Sequence, residues 1–131
     1  MIETNKRIFK TRYFSNWLEK TELTDALLLN AVEEMERGLI DADLGGGVFK
    51  KRVALPNRGK SGSVRTLIAT NKNDRWFFML GFEKNQRENI DKSELKLLKE
   101  YAKTMLGFSD AMLDTALTRN DLKEINHDEE N

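Results

Sequence analysis

The sequence predicts one α+β domain, a small antiparallel sheet packed against N-terminal helices and a C-terminal helix, with a short helical extension behind it. Three observations predict this class. Apolar residues recur at helical spacing in residues 12–39 and 91–117. Residues 48–82 switch to runs of β-formers separated by turn residues. A chain of 131 residues is of the size that buries a single core without metal or disulfide staples.

Taken in order, Ile8 and Phe9 open the domain as a short strand. Thr11 is the N-cap of a first helix with Tyr13, Phe14, Trp17 and Leu18 on its apolar side. A second helix starts at Thr24 or Asp25, buries Leu27, Leu28, Ala31, Val32, Met35 and Leu39, and breaks near Gly38. Its other side carries Glu33, Glu34 and Glu36, expected in solvent because unpaired carboxylates are seldom buried. Gly45-Gly46-Gly47 lacks the Lys-Ser/Thr of a phosphate loop and is expected to be a flexible connector.

Strands follow at Val48 to Leu55, Val64 to Thr70 and Trp76 to Phe82, the succession of an antiparallel meander. Asn71 to Asp74 supplies turn chemistry between the last two, and Pro56 to Gly62 makes a longer basic loop. The third strand is apolar on both alternating sets, Trp76, Phe78, Leu80 and Phe82 against Phe77 and Met79, and is therefore expected to be central. Asp91 with Glu94 forms a capping box and Ile90 with Leu95 a hydrophobic staple, so a third helix begins there. Gly107 is expected to end it in a left-handed cap, and Ser109 starts a last helix with Met112, Leu113, Ala116 and Leu117 on one side. The composition of Asp121 to Asn131 predicts fraying or disorder.

Composition narrows the chemistry. No cysteine is present, which excludes a disulfide framework, a Cys-ligated zinc and a thiol nucleophile, and fits a reducing compartment, with the cytoplasm as the expected location. Met1 to Lys10 is charged and lacks an apolar block, so neither a signal peptide nor a membrane span is expected. The one histidine, His127, falls in the charged C-terminal run and is not expected to act as acid or base.

The formal net charge of zero hides a segregation. Residues 48–84 hold 9 Lys/Arg against 2 Asp/Glu, while both flanking segments are acidic. The basic excess thus sits on the sheet segment, where side chains converge on one face. With only Asp74 and Glu83 acidic there, a two-metal nuclease centre lacks its ligands, and no cofactor or metal is expected. Lys50, Lys51, Arg52, Arg58, Lys60, Arg65, Arg75 and Lys84 remain as candidates to bind phosphates and to stabilise a phosphorane. RNA carries its own nucleophile, the 2′-hydroxyl, so alignment, proton transfer and charge neutralisation suffice for cleavage. Strand alternation puts Lys50 and Arg52 toward a groove, and Val53 toward the helices, with Lys51 near an edge or turn.

The segments Gly46 to Val53, Gly59 to Arg65 and Phe82 to Asn85, in this order and spacing, resemble the RelE/ParE toxin superfamily and in particular its HigB-like branch. The resemblance covers about residues 5 to 106, which sets a toxin domain at 1–106 and an extension at 107–131. It implies the toxin of a type II toxin–antitoxin system, an endoribonuclease that cuts mRNA on the ribosome, with a cognate antitoxin, often a helix-turn-helix protein, as partner. Lys50, Arg52, Arg65 and Lys84 then take the charge-stabilising and proton-transfer roles, Lys51, Arg58, Lys60 and Arg75 hold substrate, and Phe82 stacks a base. Phe82 departs from the tyrosine of many relatives, which shifts proton transfer toward Lys84. The extension is a second departure, and its acidic end is expected to dock on the basic face or on the antitoxin. Two other readings fit the same features: a ParE-like, non-catalytic inhibitor of DNA gyrase, and an RNA-binding module without catalysis.

Overall fold

Strand β1 (Arg7–Thr11) leads directly into α1 (Arg12–Leu18), and α2 (Asp25–Glu36) follows. The computed structural model describes residues 6–56, 62–84, 86 and 89–126. Four further strands, β2 (Ala42–Gly45), β3 (Val48–Ala54), β4 (Ser63–Thr70) and β5 (Arg75–Glu83), precede α3 (Lys92–Leu106), α4 (Asp110–Thr118) and β6 (Leu122–Ile125). The fold is α+β, and its six strands form one mixed sheet in the order β2-β3-β4-β5-β1-β6.

The local signals acted as the sequence reading anticipates. Thr11, Thr24, Asp91 and Ser109 each accept a hydrogen bond from the backbone N–H three residues on, which satisfies a helix donor that would otherwise lack a partner. Asn71 Oδ1 accepts from the N–H groups of Asn73, Asp74 and Arg75 and closes the β4–β5 turn.

The expected three-strand meander is the centre of a larger sheet. β1 pairs parallel with β5, so β5 is central, and both β2 and β6 are added at the edges. β6 corrects the expectation of a frayed tail from Asp121. Leu122 and Ile125 are buried, one on each face of the sheet, and β6 pairs antiparallel with β1, while residues 127–131 lie outside the described residues. Gly45, Gly46 and Gly47 are likewise a tight β2–β3 turn rather than a loose connector, with φ of +88°, +65° and +82°, the left-handed region that favours glycine. Gly107 ends α3 with φ −91° instead of a left-handed cap, and Leu39, beyond the break at Gly38, is 53% exposed rather than buried.

Helices cover both faces of the sheet, not one. Phe14 of α1 and Leu28, Ala31, Val32 and Met35 of α2 pack with Ile8, Phe49, Val53, Ile68, Trp76 and Phe78 on the first face. Ala102 and Met105 of α3 and Leu113 and Ala116 of α4 pack with Phe9, Val48, Leu67, Phe77, Leu80 and Phe82 on the second. A β-bulge sets this partition. Leu67 pairs with Leu80 but Ile68 with Phe78, so Met79 is the extra residue of β5 and the side-chain alternation shifts there. Trp76 and Phe78 thus face α1 and α2, whereas Phe77, Met79, Leu80 and Phe82 face α3 and α4, which corrects the simple alternation expected for this strand. The carbonyl of Met79 accepts a hydrogen bond from the Thr11 hydroxyl, 3.3 Å away.

Candidate nucleic-acid interface

Alternation along β3 separates its three consecutive cations. Phe49, Lys51 and Val53 turn toward α2, and Val48, Lys50 and Arg52 toward the opposite face. Lys51 is therefore buried against α2, one residue past the last β2 pair and so close to the sheet edge as expected. Its ammonium lies 2.8 Å from Glu34 Oε1 and donates to the Leu39 carbonyl at 2.9 Å. The hydrogen bond from Lys51 holds the Glu34 carboxyl below its ordinary range, against the opposing effect of burial. Glu34 is consequently a structural carboxylate rather than a solvated one, and Lys51 is spent on holding β3 to α2.

The ladders place the remaining candidates. Arg52 lies opposite Arg65, and Arg65 opposite Phe82, which makes one row across β3, β4 and β5. Lys50, Leu67 and Leu80 form the next row on the same face. Opposed residues in such ladders have Cβ atoms about 5 Å apart, so the two guanidinium groups start from neighbouring positions. Lys84 follows in the turn two residues beyond Phe82. Arg52 and Arg65 are thus neighbours on one face of the sheet, with Lys50 one row away on that face and Lys84 in the turn past Phe82.

These cations differ in how far they are neutralised. Arg52 Nε stands 3.7 Å from Asp41 Oδ1, while Asp41 Oδ2 accepts from the Arg52 backbone N–H at 2.6 Å. Lys50, Arg65 and Lys84 have no ion-pair partner among the described residues. Asp41 was missed at the sequence level because residues 42–45 carry no strand signal of their own. Without β2 nothing brings that carboxylate alongside β3.

Other candidates are placed elsewhere. Phe82 is only 3% exposed and belongs to the core under α3, so it forms a wall of the site and not an open platform for a base. Arg75 sits at the other end of β5, seven residues from Phe82, or about 23 Å along a strand. There it donates to Asp110 Oδ1 at 2.8 Å and to the Asp74 carbonyl at 2.9 Å. Arg7 joins the same cluster through Asp110, Asp114 and Glu124, which raises its pKa chiefly through the Glu124 hydrogen bond and fixes α4 and β6 to β1. Arg58 and Lys60 lie outside the described residues.

A cleft of about 370 Å³ adjoins the row. Leu27, Asn30, Ala31 and Glu34 of α2 line one side, and Arg52, Val53, Ala54 and Ser63 the other. The recess opens on the α2 face, reached by Arg52 around the edge of β3, and the opposite face combines a pair of opposed guanidinium groups with a further ammonium group. Like charges set opposite one another in a ladder are destabilising, and a polyanion is the ligand that would relieve this repulsion.

The family model for the RelE toxin of the RelE/RelB toxin–antitoxin system matches residues 6–125. The chain belongs to the RelE toxin family. No curated protein matches it. This RelE-family chain is accordingly the toxin component of a toxin–antitoxin pair, and an antitoxin is the partner that membership implies. The match runs through α4 and β6, so the segment after Gly107 lies within the family's span, consistent with its burial in both cores. Among the described residues, no helix of the RelE-family domain is long and apolar enough to cross a membrane.

Proposed function

We propose that this toxin is a ribosome-dependent mRNA endoribonuclease that works without a metal, by attack of a substrate 2′-hydroxyl on the adjacent phosphate. The observation that carries the reading is the juxtaposition of Arg52 and Arg65 across the β3–β4 ladder, with Lys50 in the next row and Lys84 just past the strand end. Arg65 and Arg52 grip the non-bridging oxygens of the scissile phosphate and stabilise the charge that grows on the phosphorane. Lys84 and Lys50 assist removal of the 2′-hydroxyl proton and protonation of the departing 5′-oxygen. Asp41, 3.7 Å from Arg52 Nε, is a counter-charge that partly offsets the Arg52–Arg65 repulsion.

The atoms balance without an external co-reactant. The 2′-oxygen forms a bond to phosphorus, the bond to the 5′-oxygen breaks, and the proton lost by one oxygen is restored to the other. The products are a 2′,3′-cyclic phosphate and a 5′-hydroxyl. The antitoxin, expected to be of helix-turn-helix type, silences the toxin in its complex, and the cytoplasm is the compartment in which ribosomes are met.

The experiment is an analysis of product ends on a ribosome-bound message with a single 2′-deoxy substitution at the mapped cut. Cyclic phosphate and 5′-hydroxyl ends on the normal message, and no cut at the deoxy position, are expected. Cleavage that tolerates the 2′-deoxy substitution, or leaves 5′-phosphate ends, overturns this chemistry.

A further inference from the structure

The charge on the molecule does not stop at the sheet. Lys92, Lys96, Lys99 and Lys103 recur along α3 at intervals of four, three and four residues, the spacing that keeps side chains on one flank of a helix. From Lys92 to Lys103 the stripe extends about 16 Å along the axis. The lysine flank points away from Tyr101, on the side of α3 where Gly46 and Gly47 of the β2–β3 turn approach the helix. Lys96, Lys99 and Lys103 line an open groove of about 750 Å³ there, together with Thr70, Asn71 and one carboxylate, Glu100, so that the cations outnumber it three to one.

Lys99 is held in place. Its methylene stem lies over the glycine turn, where a Cβ built on Gly46 would approach three of its carbons within 3.4 Å, and one built on Gly45 would meet its Nζ at 3.3 Å. The bare backbone of this turn is thus a seat for the lysine stem, so its ammonium reaches the groove with less rotamer freedom to lose. None of the four lysines has an ion-pair partner among the described residues. α3 begins beside the Phe82 end of the sheet, where Leu95 and Ile90 pack in the same cluster, and ends with Leu106 against Gly47. The stripe therefore starts near the Arg52–Arg65 row and leads away from it on the same side of the sheet.

We propose that the lysine stripe of α3 is a second binding surface, a track for the RNA backbone that flanks the scissile phosphate. Charge complementarity selects the occupant: a row of regularly spaced ammonium groups, continuous with a cationic site, matches a polyanion with regularly spaced charges. This inference rests on the reading of the sheet face as the RNA site, and it assigns the stripe to affinity rather than to the reacting atoms.

The test compares the wild type with a Lys96→Ala/Lys99→Ala/Lys103→Ala variant, using a 20-nucleotide 2′-O-methyl RNA that cannot be cut, over a salt series. Each phosphate contact on a single strand contributes about 0.7 to the slope of log affinity against log salt, so the slope should fall by about 2 in the variant. A trinucleotide, which fills only the sheet site, should bind both proteins with the same slope. A Lys20→Ala/Lys123→Ala variant, which removes exposed lysines elsewhere, should match the wild type on both RNAs. Equal slopes for wild type and triple variant on the 20-mer overturn the track, as does a triple variant that keeps RNA affinity but loses antitoxin binding. Cleavage is read separately on ribosomes. Absence of cutting by a wild type that shows the slope difference refutes the nuclease reading and leaves the track standing.

Discussion

Arg52 of β3 stands directly opposite Arg65 of β4, on the sheet face that carries Phe82 in the next strand. Such a pairing of like charges works against the ladder that holds it. Arg65→Thr is therefore expected to leave stability unchanged or raise it by a few tenths of a kcal/mol up to about 1 kcal/mol. The same substitution should lower the cleavage rate by about 100-fold or more, the usual cost of losing one donor to a developing oxyanion. Thermal melts and single-turnover cleavage of the same preparation check both effects together.

The Lys51–Glu34 pair gives the opposite pattern. Glu34→Gln keeps a neutral acceptor beside the buried ammonium but removes its counter-charge, and should cost about 1–3 kcal/mol at neutral pH, with any activity loss explained by the unfolded fraction. Because the folded carboxyl titrates below its ordinary 4.5, its stabilising effect is fully present above that value and is lost as pH falls through the lower folded value. Urea unfolding midpoints should thus drop on acidification below about pH 4.5 in the wild type and drop less steeply in Glu34→Gln.

Gly81 is required for a packing reason. A Cβ at this position would clash with Cζ3, Cη2 and Cε3 of the Trp17 ring, which crosses the strand there. Gly81→Ala is expected to cost about 1–3 kcal/mol through overpacking, and a second change, Trp17→Leu, should recover part of it. A double-mutant cycle in urea reads the coupling, and additive losses would rule the contact out as the cause.

The C-terminal segment is a structural strand, so its removal should damage the fold. Leu122→Ala and Ile125→Ala are each expected to cost about 2–4 kcal/mol, since both side chains are buried. Deleting residues 119–131 should lower the melting temperature sharply. A truncation that melts like the full chain would show that β6 contributes nothing.

Local signals were legible wherever one residue type does one job. Thr11, Thr24, Asp91 and Ser109 announced their helices because an N-cap hydrogen bond depends only on residues three apart. Long-range pairing was not legible. Residues 42–45 and 122–125 are too short to show a strand period, and become strands because β3 and β1 offer edges to pair with. The same limit hid Asp41 beside Arg52 and the interior fate of Lys51, both of which depend on where α2 and β2 land. The Met79 bulge was equally out of view, because one inserted residue shifts the alternation without changing the composition of the strand.

The most direct measurement of the central claim is 5′-end mapping of mRNA after induction of the toxin, with and without translating ribosomes, for the wild type and an Arg65→Ala/Lys84→Ala variant. Codon-phased cuts that require translation and vanish in the variant are the predicted result. Intact messages with DNA breaks in toxic wild-type cells, or unchanged cuts in the variant, would contradict it.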